Sequence, residues 1–537
     1  LAVSEGLKTT FEVLGKTHND AASAALLPCL DSQHAQIQDQ AIRAIMERRS
    51  PQGQREILAR WHSMSERWRA IVEERPNRME EALHESVQSF DAQKCHNACS
   101  AILALHEYEL MPALLAAVET PGFPHVEQTA QTALALAAEL YDELAGPRDY
   151  SIRRDPQVVR RNMVQSLEAS VNRFPSHGRV ELVEGFLLLV NRDNVTLKQT
   201  LMDPTHVAHA TVIDLMSHSD RGGVLRLVLG FLDDPQPPRR ALAILSQRTD
   251  LKFLRHLCDR IADEPSPTVT QNLHRLDDIR WADPKQGILD RLGSEEQEAA
   301  VELLMATGLH RQQLFQVVQH LLRNGDPPGR RAAAKALSQF SGPESNVLAL
   351  EALSDSDAGV QARILKQLRA RSLPGALQQL IDHLDNSDPE VQQAARDGLS
   401  EFTFSRYIKA FDSLTPAVRE KTGVLVRKVD LAYAHLLSRE MESPARTRRL
   451  RALAATAAMR VVDDVLNHIL DMLGDQDHVV RVEAVQTLAY SDLPRARIAL
   501  REAMSDGSPL VQQAAERSLL EIQQRLSAQS GTTTSTT

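Results

Sequence analysis

A chain of 537 residues with 42% hydrophobic but only 4% aromatic residues, and just 23 glycines, suits a helical stack of Ala and Leu better than a β-sandwich or an aromatic-lined ligand pocket. Its formal charge of −10, from 61 Lys and Arg against 71 Asp and Glu, argues against a general nucleic-acid or membrane-surface binder. Four cysteines in so long a chain are no disulfide framework, and no stretch reaches the roughly eighteen apolar residues of a membrane span, so the sequence predicts a cytoplasmic protein with reduced thiols.

From the N-terminus, two short helical patterns over 3–14 and 21–30 lead into a unit that then recurs along the chain. Its best copy, residues 387–399, reads S-D-P-E-V-Q-Q-A-A-R-D-G-L. Asp388 is placed to cap a helix and Pro389 to open it, since proline's missing N–H costs nothing in the first turn. With Asp388 as position zero, Val391, Ala395 and Leu399 fall at +3, +7 and +11 and share one narrow stripe. The small residue in the middle of that stripe lets a second helix approach closely.

Zero positions are expected at His34, Asp91, Phe123, Asp155, Asp203, Asp234, Ser266, Ser294, Asp326, Asp357, Asp388, Thr415, Ser443, Asp477 and Ser508. Twelve of the fourteen steps between them lie between 27 and 34 residues, and ten of the 25 prolines sit at +1, so the period is no accident of composition. A second apolar segment lies between copies, which makes each unit a helix hairpin unable to bury its own stripe. The expected fold is an all-α solenoid of about fifteen stacked hairpins.

The two long steps mark insertions. Residues 52–90 are expected to carry one long helix over 55–75, with Ile57, Trp61, Met64, Trp68 and Ile71 on one face. Trp61 and Trp68 either dock a partner from a projecting hairpin or fill the gap where the repeat is interrupted. Residues 192–202 add a short extra helix. The predicted organisation is an N-terminal unit with its insertion over 1–90, units with the extra helix over 91–202, a regular array over 203–526, and a disordered tail over 527–537 that has nothing to bury.

The unit D-P-x-V-x-x-A-A-x-x-x-L, clearest at 326–337, 388–399 and 508–519, resembles HEAT repeats, specifically the short HEAT-like units also found in phycobilisome lyases. The resemblance covers roughly 20–526. It implies an α-solenoid in which the helix after the Asp-Pro turn lines the concave surface. It does not imply one activity, because this build serves scaffolds, lyases, oxygenases and nucleic-acid proteins alike.

On that helix, arginines recur at +4 and +5: Arg160, Arg239, Arg330, Arg331, Arg419, Arg448 and Arg481. They form either a positive track for an acidic protein segment or phosphate backbone, or a set of ion pairs with neighbouring units. Glutamines at the same offsets (Gln361, Gln392, Gln393, Gln512 and Gln513) interrupt the row. Cys95, His96 and Cys99, with His84 and His106 nearby, lack a second close ligand pair, and the His84-Glu85 and His106-Glu107 dyads fall out of register with the repeat. The spacing of His206, His209 and His218 does not give three ligands one face. No phosphate loop, G-x-S-x-G or H-E-x-x-H motif is present. The expectation is therefore a non-enzymatic scaffold that binds protein, without cofactor or metal. The alternatives are a nucleic-acid binder, disfavoured by net charge, and a lyase-like or metal-dependent enzyme.

Overall fold

The computed structural model describes residues 5–74, 78–147, 154–262 and 265–532. Helices and short 3-10 turns account for all regular structure among them, arranged as the stacked hairpins of an all-α solenoid. Contacts divide the chain into two compact units, Leu1–Val317 and Val318–Thr537.

In the second unit the repeat is nearly regular. The helices Pro327–Leu337, Ala358–Leu368 and Pro389–Gly398 pack successively, as do Pro416–Val429, Arg446–Met459, His478–Leu488 and Pro509–Thr532. The alternate helices, such as Tyr433–Met441, Leu466–Met472 and Pro494–Ala503, touch one another less, so the Asp-Pro helices form the closer-packed layer. The expected stripe is the contact surface. Val391, Ala395 and Leu399 are fully buried, as are Val360, Ile364 and Leu368, and Val480, Ala484 and Leu488. Asp388 caps its helix by accepting from the N–H groups of Glu390 at 2.8 Å and Val391 at 3.4 Å.

A helix begins one residue after ten of the fifteen zero positions. Two of the five exceptions have a local cause. Asp203 accepts from the Thr205 N–H and hydroxyl, closing a turn before a helix that starts only at His209. Asp234 accepts from the Gln236 N–H, and Pro237 and Pro238 hold the chain extended until Arg239. The Phe123 and Ser443 copies start at Val126 and Arg446, and Ser294 is itself the first helical residue.

The first unit departs further from the regular pattern. Val126–Ala145, Val180–Leu189, Gly222–Gly230, Leu251–Ala262 and Ser294–Met305 pack one on the next as one layer. The helices headed by Asp155 and Asp234 lie in the other layer: Pro156–Asn172 packs on Met111–Glu119, and Arg239–Gln247 on His209–His218. Here the Asp-Pro helix does not keep the layer that the family resemblance implies. The Asp155 stripe is also rotated, with Val158 at +3 exposed and Met163, Leu167 and Val171 buried instead.

The expected long helix over 55–75 is broken. Pro51–Ala59 ends in a 3-10 turn at Trp61–Ser63, and a new helix, Glu66–Glu73, starts where Ser65 accepts from the Trp68 N–H. An N-cap serine in mid-pattern overrides the apolar period. Residues 75–77 lie outside the described residues. The extra helix expected over 192–202 is present as Val195–Met202. The last helix, Pro509–Thr532, runs past the expected start of the tail at 527, and 533–537 lie outside the described residues. No helix among the described residues is long and apolar enough to cross a membrane.

Candidate functional site

The arginine row has a clear chemical fate in the second unit. Arg330 grips Asp355 through two 3.0 Å hydrogen bonds, and Arg481 grips Asp506 at 2.9 and 3.0 Å. Each of these aspartates stands two residues before the next unit's zero position, where it also accepts the zero residue's N–H, from Asp357 at 2.7 Å and from Ser508 at 2.8 Å. Arg331 pairs with Asp357 at 2.8 and 2.6 Å, and Arg448 with Glu440 at 2.7 and 2.5 Å. The Arg481 guanidinium further donates to the Asp475 carbonyl at 2.7 Å. Gln361, Gln392 and Gln512 make the same backward contact, to the carbonyls of Asp355, Asn386 and Asp506 at 2.6–2.7 Å. Position +4 is thus a structural clasp that accepts Arg or Gln, and the glutamines continue the pattern. The Asp or Asn at −2 escaped the sequence reading, although D-S-D, N-S-D, D-Q-D and D-G-S recur at the turns.

Three row members pair with no carboxylate among the described residues. Arg419 donates to the carbonyls of Phe411 and Asp412 and lies 4.5 Å over the Phe411 ring. Arg239 is exposed and has no ion-pair partner among the described residues. Arg160 is half-buried, donating to the Leu189 carbonyl at 2.7 Å and to the Asn191 side chain. Burial, reinforced by the nearby Arg226 guanidinium, holds Arg160 below the usual arginine range.

Arg160 lines a groove of about 550 Å³ between one face of Pro156–Asn172 and the 189–194 loop. Its walls mix Val164, Leu189 and Val190 with Gln157, Arg161, Gln165, Asn191 and Asn194. A second depression, formed by Val190, Arg192, Asp193 and Arg226, shares this loop. A third adds Tyr141, Leu225, His256 and Arg260 around the same Arg226. The Arg226 guanidinium stacks 4.9 Å over the Tyr141 ring and, among the described residues, pairs with no carboxylate. Arg260 is neutralised by Asp233, which Arg192 also approaches at 3.7 Å. Glu168, a carboxylate in the groove wall, accepts from Asn194 and Thr196. Of the expected site residues the groove contains Arg160 alone. Arg226 and Tyr141 were missed because they come from different hairpins and share no repeat offset.

Trp61 is 1% exposed, so it fills the interior of the insertion, with the Arg69 guanidinium 5.7 Å from its ring; Trp68 is half-buried. Cys95 and Cys99 are buried in a helix contact, whereas His84, His96 and His106 are exposed, His96 bonding Gln128 and His106 bonding Glu139. His206, His209 and His218 turn to three separate partners: Asn172, the Thr200 carbonyl and Asp214. No group of three or more His, Cys, Asp or Glu side chains among the described residues converges as a metal site would.

Capped hairpins stacked through a small-residue stripe and clasped by Arg or Gln define an all-α solenoid of helix hairpins. No family model and no curated protein sequence matches the chain. Among solved structures it is similar to Kap121p, at 14% identity and a TM-score of 0.30, over 97% of this chain and 57% of that one. Kap121p bound to Ste12p gives 14% and 0.32 over the same shares. Human deoxyhypusine hydroxylase gives 15% and 0.17, over 56% of this chain and 96% of that one. The chain thus spans a little over half the length of Kap121p.

Proposed function

We propose that the protein is a non-enzymatic helical-repeat scaffold that holds an extended protein segment in the groove beside Arg160 and Arg226. The observation that carries this reading is the contrast in how its arginines are engaged. In the second unit Arg330, Arg331, Arg448 and Arg481 are neutralised inside the array, whereas Arg160 and Arg226 face open grooves and, among the described residues, form no ion pair, the carboxylates that line those grooves, Glu168 and Asp193, being engaged elsewhere. Leu189, Val190 and Val164 offer apolar surface beside hydrogen-bonding Gln157, Gln165 and Asn194, a mixture that suits a peptide better than a small apolar ligand. A polyanion track along the row has little support, since four of its seven members are already paired and the net charge is −10.

The short Asp-Pro unit supports kinship with the HEAT-like repeats also found in phycobilisome lyases. Free, largely buried cysteines support a reducing cytoplasmic setting. The test is a photo-crosslinking residue at Gln165, in the groove, against the same residue at the exposed Val347 on Pro343–Ala352. A distinct set of proteins captured from Gln165, and lost in Arg226→Glu, is the expected result. The same proteins from both positions, or none from Gln165, would overturn the groove assignment.

A further inference from the structure

The geometry points to a binding site for a phosphate monoester, carried on the bound protein segment, at the junction of the Arg160 and Arg226 grooves. This rests on the groove reading above and specifies its ligand chemistry. Two guanidinium groups line adjoining depressions that share Val190, Asn191 and Asp193, and each is held in place by neutral partners. Arg160 is oriented by the Leu189 carbonyl and Asn191, and Arg226 by the face of Tyr141. Burial, and after it the charge of Arg226, lowers the proton affinity of Arg160, and among the described residues no carboxylate is bonded to either guanidinium. A carboxylate on the bound segment would bring one charge. A phosphate monoester brings nearly two charges and three acceptor oxygens to one point, matching two forked donors.

The alternative of a nucleic-acid backbone fits less well. Phosphodiesters arrive singly charged and in series, and need a stripe of cations along the surface. The nearby Arg260 and Arg192 are already drawn to Asp233, so the cations left without a carboxylate among the described residues, Arg160, Arg161 and Arg226, gather at one groove junction and do not run on as a stripe. Neither carboxylate at the junction closes the site: the oxygens of Glu168 are engaged by Asn194 and Thr196, and Asp193 lies 3.8 Å from the Lys198 ammonium and 4.0 Å from the Arg192 guanidinium.

The experiment uses the full chain immobilised, with three peptide libraries identical but for a central phosphoserine, serine or glutamate, and a 20-nucleotide single-stranded RNA as a fourth probe. The expected result is at least tenfold greater retention of the phosphoserine library than of the serine one. Arg226→Met should remove that preference while its melting temperature stays at the wild-type value, since Arg226 is exposed. Arg160→Lys, which keeps charge but loses the fork, should weaken it severalfold. Equal retention of all three libraries, still lost in Arg226→Met, would overturn the phosphate assignment and leave the peptide groove standing. Retention indifferent to Arg226→Met would overturn both, and RNA binding tighter than the phosphoserine library would replace this ligand with a polyanion.

Discussion

Arg481 shows how one side chain joins two repeats. Its guanidinium chelates Asp506 of the following turn while one nitrogen reaches back to the Asp475 carbonyl. The pair holds the Asp506 carboxyl below its ordinary value, chiefly through the hydrogen bond from Arg481. A depressed carboxylate pKa contributes stability that is complete above the unfolded value, near 4, and is lost as pH falls through the lower folded value. Arg481→Gln isolates this contribution, because Gln512 at the same offset already shows that glutamine keeps the backward contact. The variant should lose up to about 1 kcal/mol at pH 7, the scale of a partly exposed ion pair. That difference should shrink as pH falls below the unfolded value and through the lower folded one. Urea unfolding of both proteins at pH 7 and at pH 2.5 measures it; an equal deficit at both would place the effect outside the ion pair.

At the scale of elements, the position of Arg226 depends on a close helix contact. A Cβ added at Gly223 would meet the Leu188 carbonyl oxygen at 2.8 Å and its Cα at 3.0 Å, so Gly222–Gly230 touches Val180–Leu189 backbone to backbone. Gly→Ala in a helix ordinarily stabilises by about 0.4–1 kcal/mol through the unfolded state. Here the sign should reverse, because only backbone movement relieves the clash, and Gly223→Ala should cost about 1–3 kcal/mol. The displaced helix should also carry Arg226 away from Arg160 and lower phosphoserine-library retention, whereas a melting temperature at or above wild type would show the contact to be loose. The Val391, Ala395 and Leu399 stripe was legible because burial and period coincide on one helix. The layer exchange at Asp155 was not, since a helix start signal states where a helix begins and not which neighbour it meets. The break at Ser65 and the junction of Tyr141 with Arg226 were hidden for related reasons, a local cap outweighing periodicity and a site assembled across hairpins.

Across the whole molecule, repeats that touch only their neighbours make stability a sum of local terms, so damage should stay near where it is made. Ala395 is fully buried on Pro389–Gly398, the helix that packs on Ala358–Leu368, and Ala395→Asp puts an unpaired carboxylate there. The cost should be at least about 3 kcal/mol, because the charge has neither a partner nor water. In a protein with one shared core such a change would raise amide exchange everywhere. In this chain, whose two units each hold their own contacts, exchange should rise steeply in Ala358–Leu368 and Pro389–Gly398 and remain at the wild-type rate in Val126–Ala145 and Val180–Leu189. Hydrogen exchange read by mass spectrometry on peptides from both units tests this directly. Faster exchange in both units would show that they unfold as one cooperative body, and wild-type exchange throughout would show that Ala395 is not at a helix contact. Because the Arg160 and Arg226 grooves belong to the first unit, phosphoserine-library retention by Ala395→Asp should match wild type at temperatures where the second unit has begun to open.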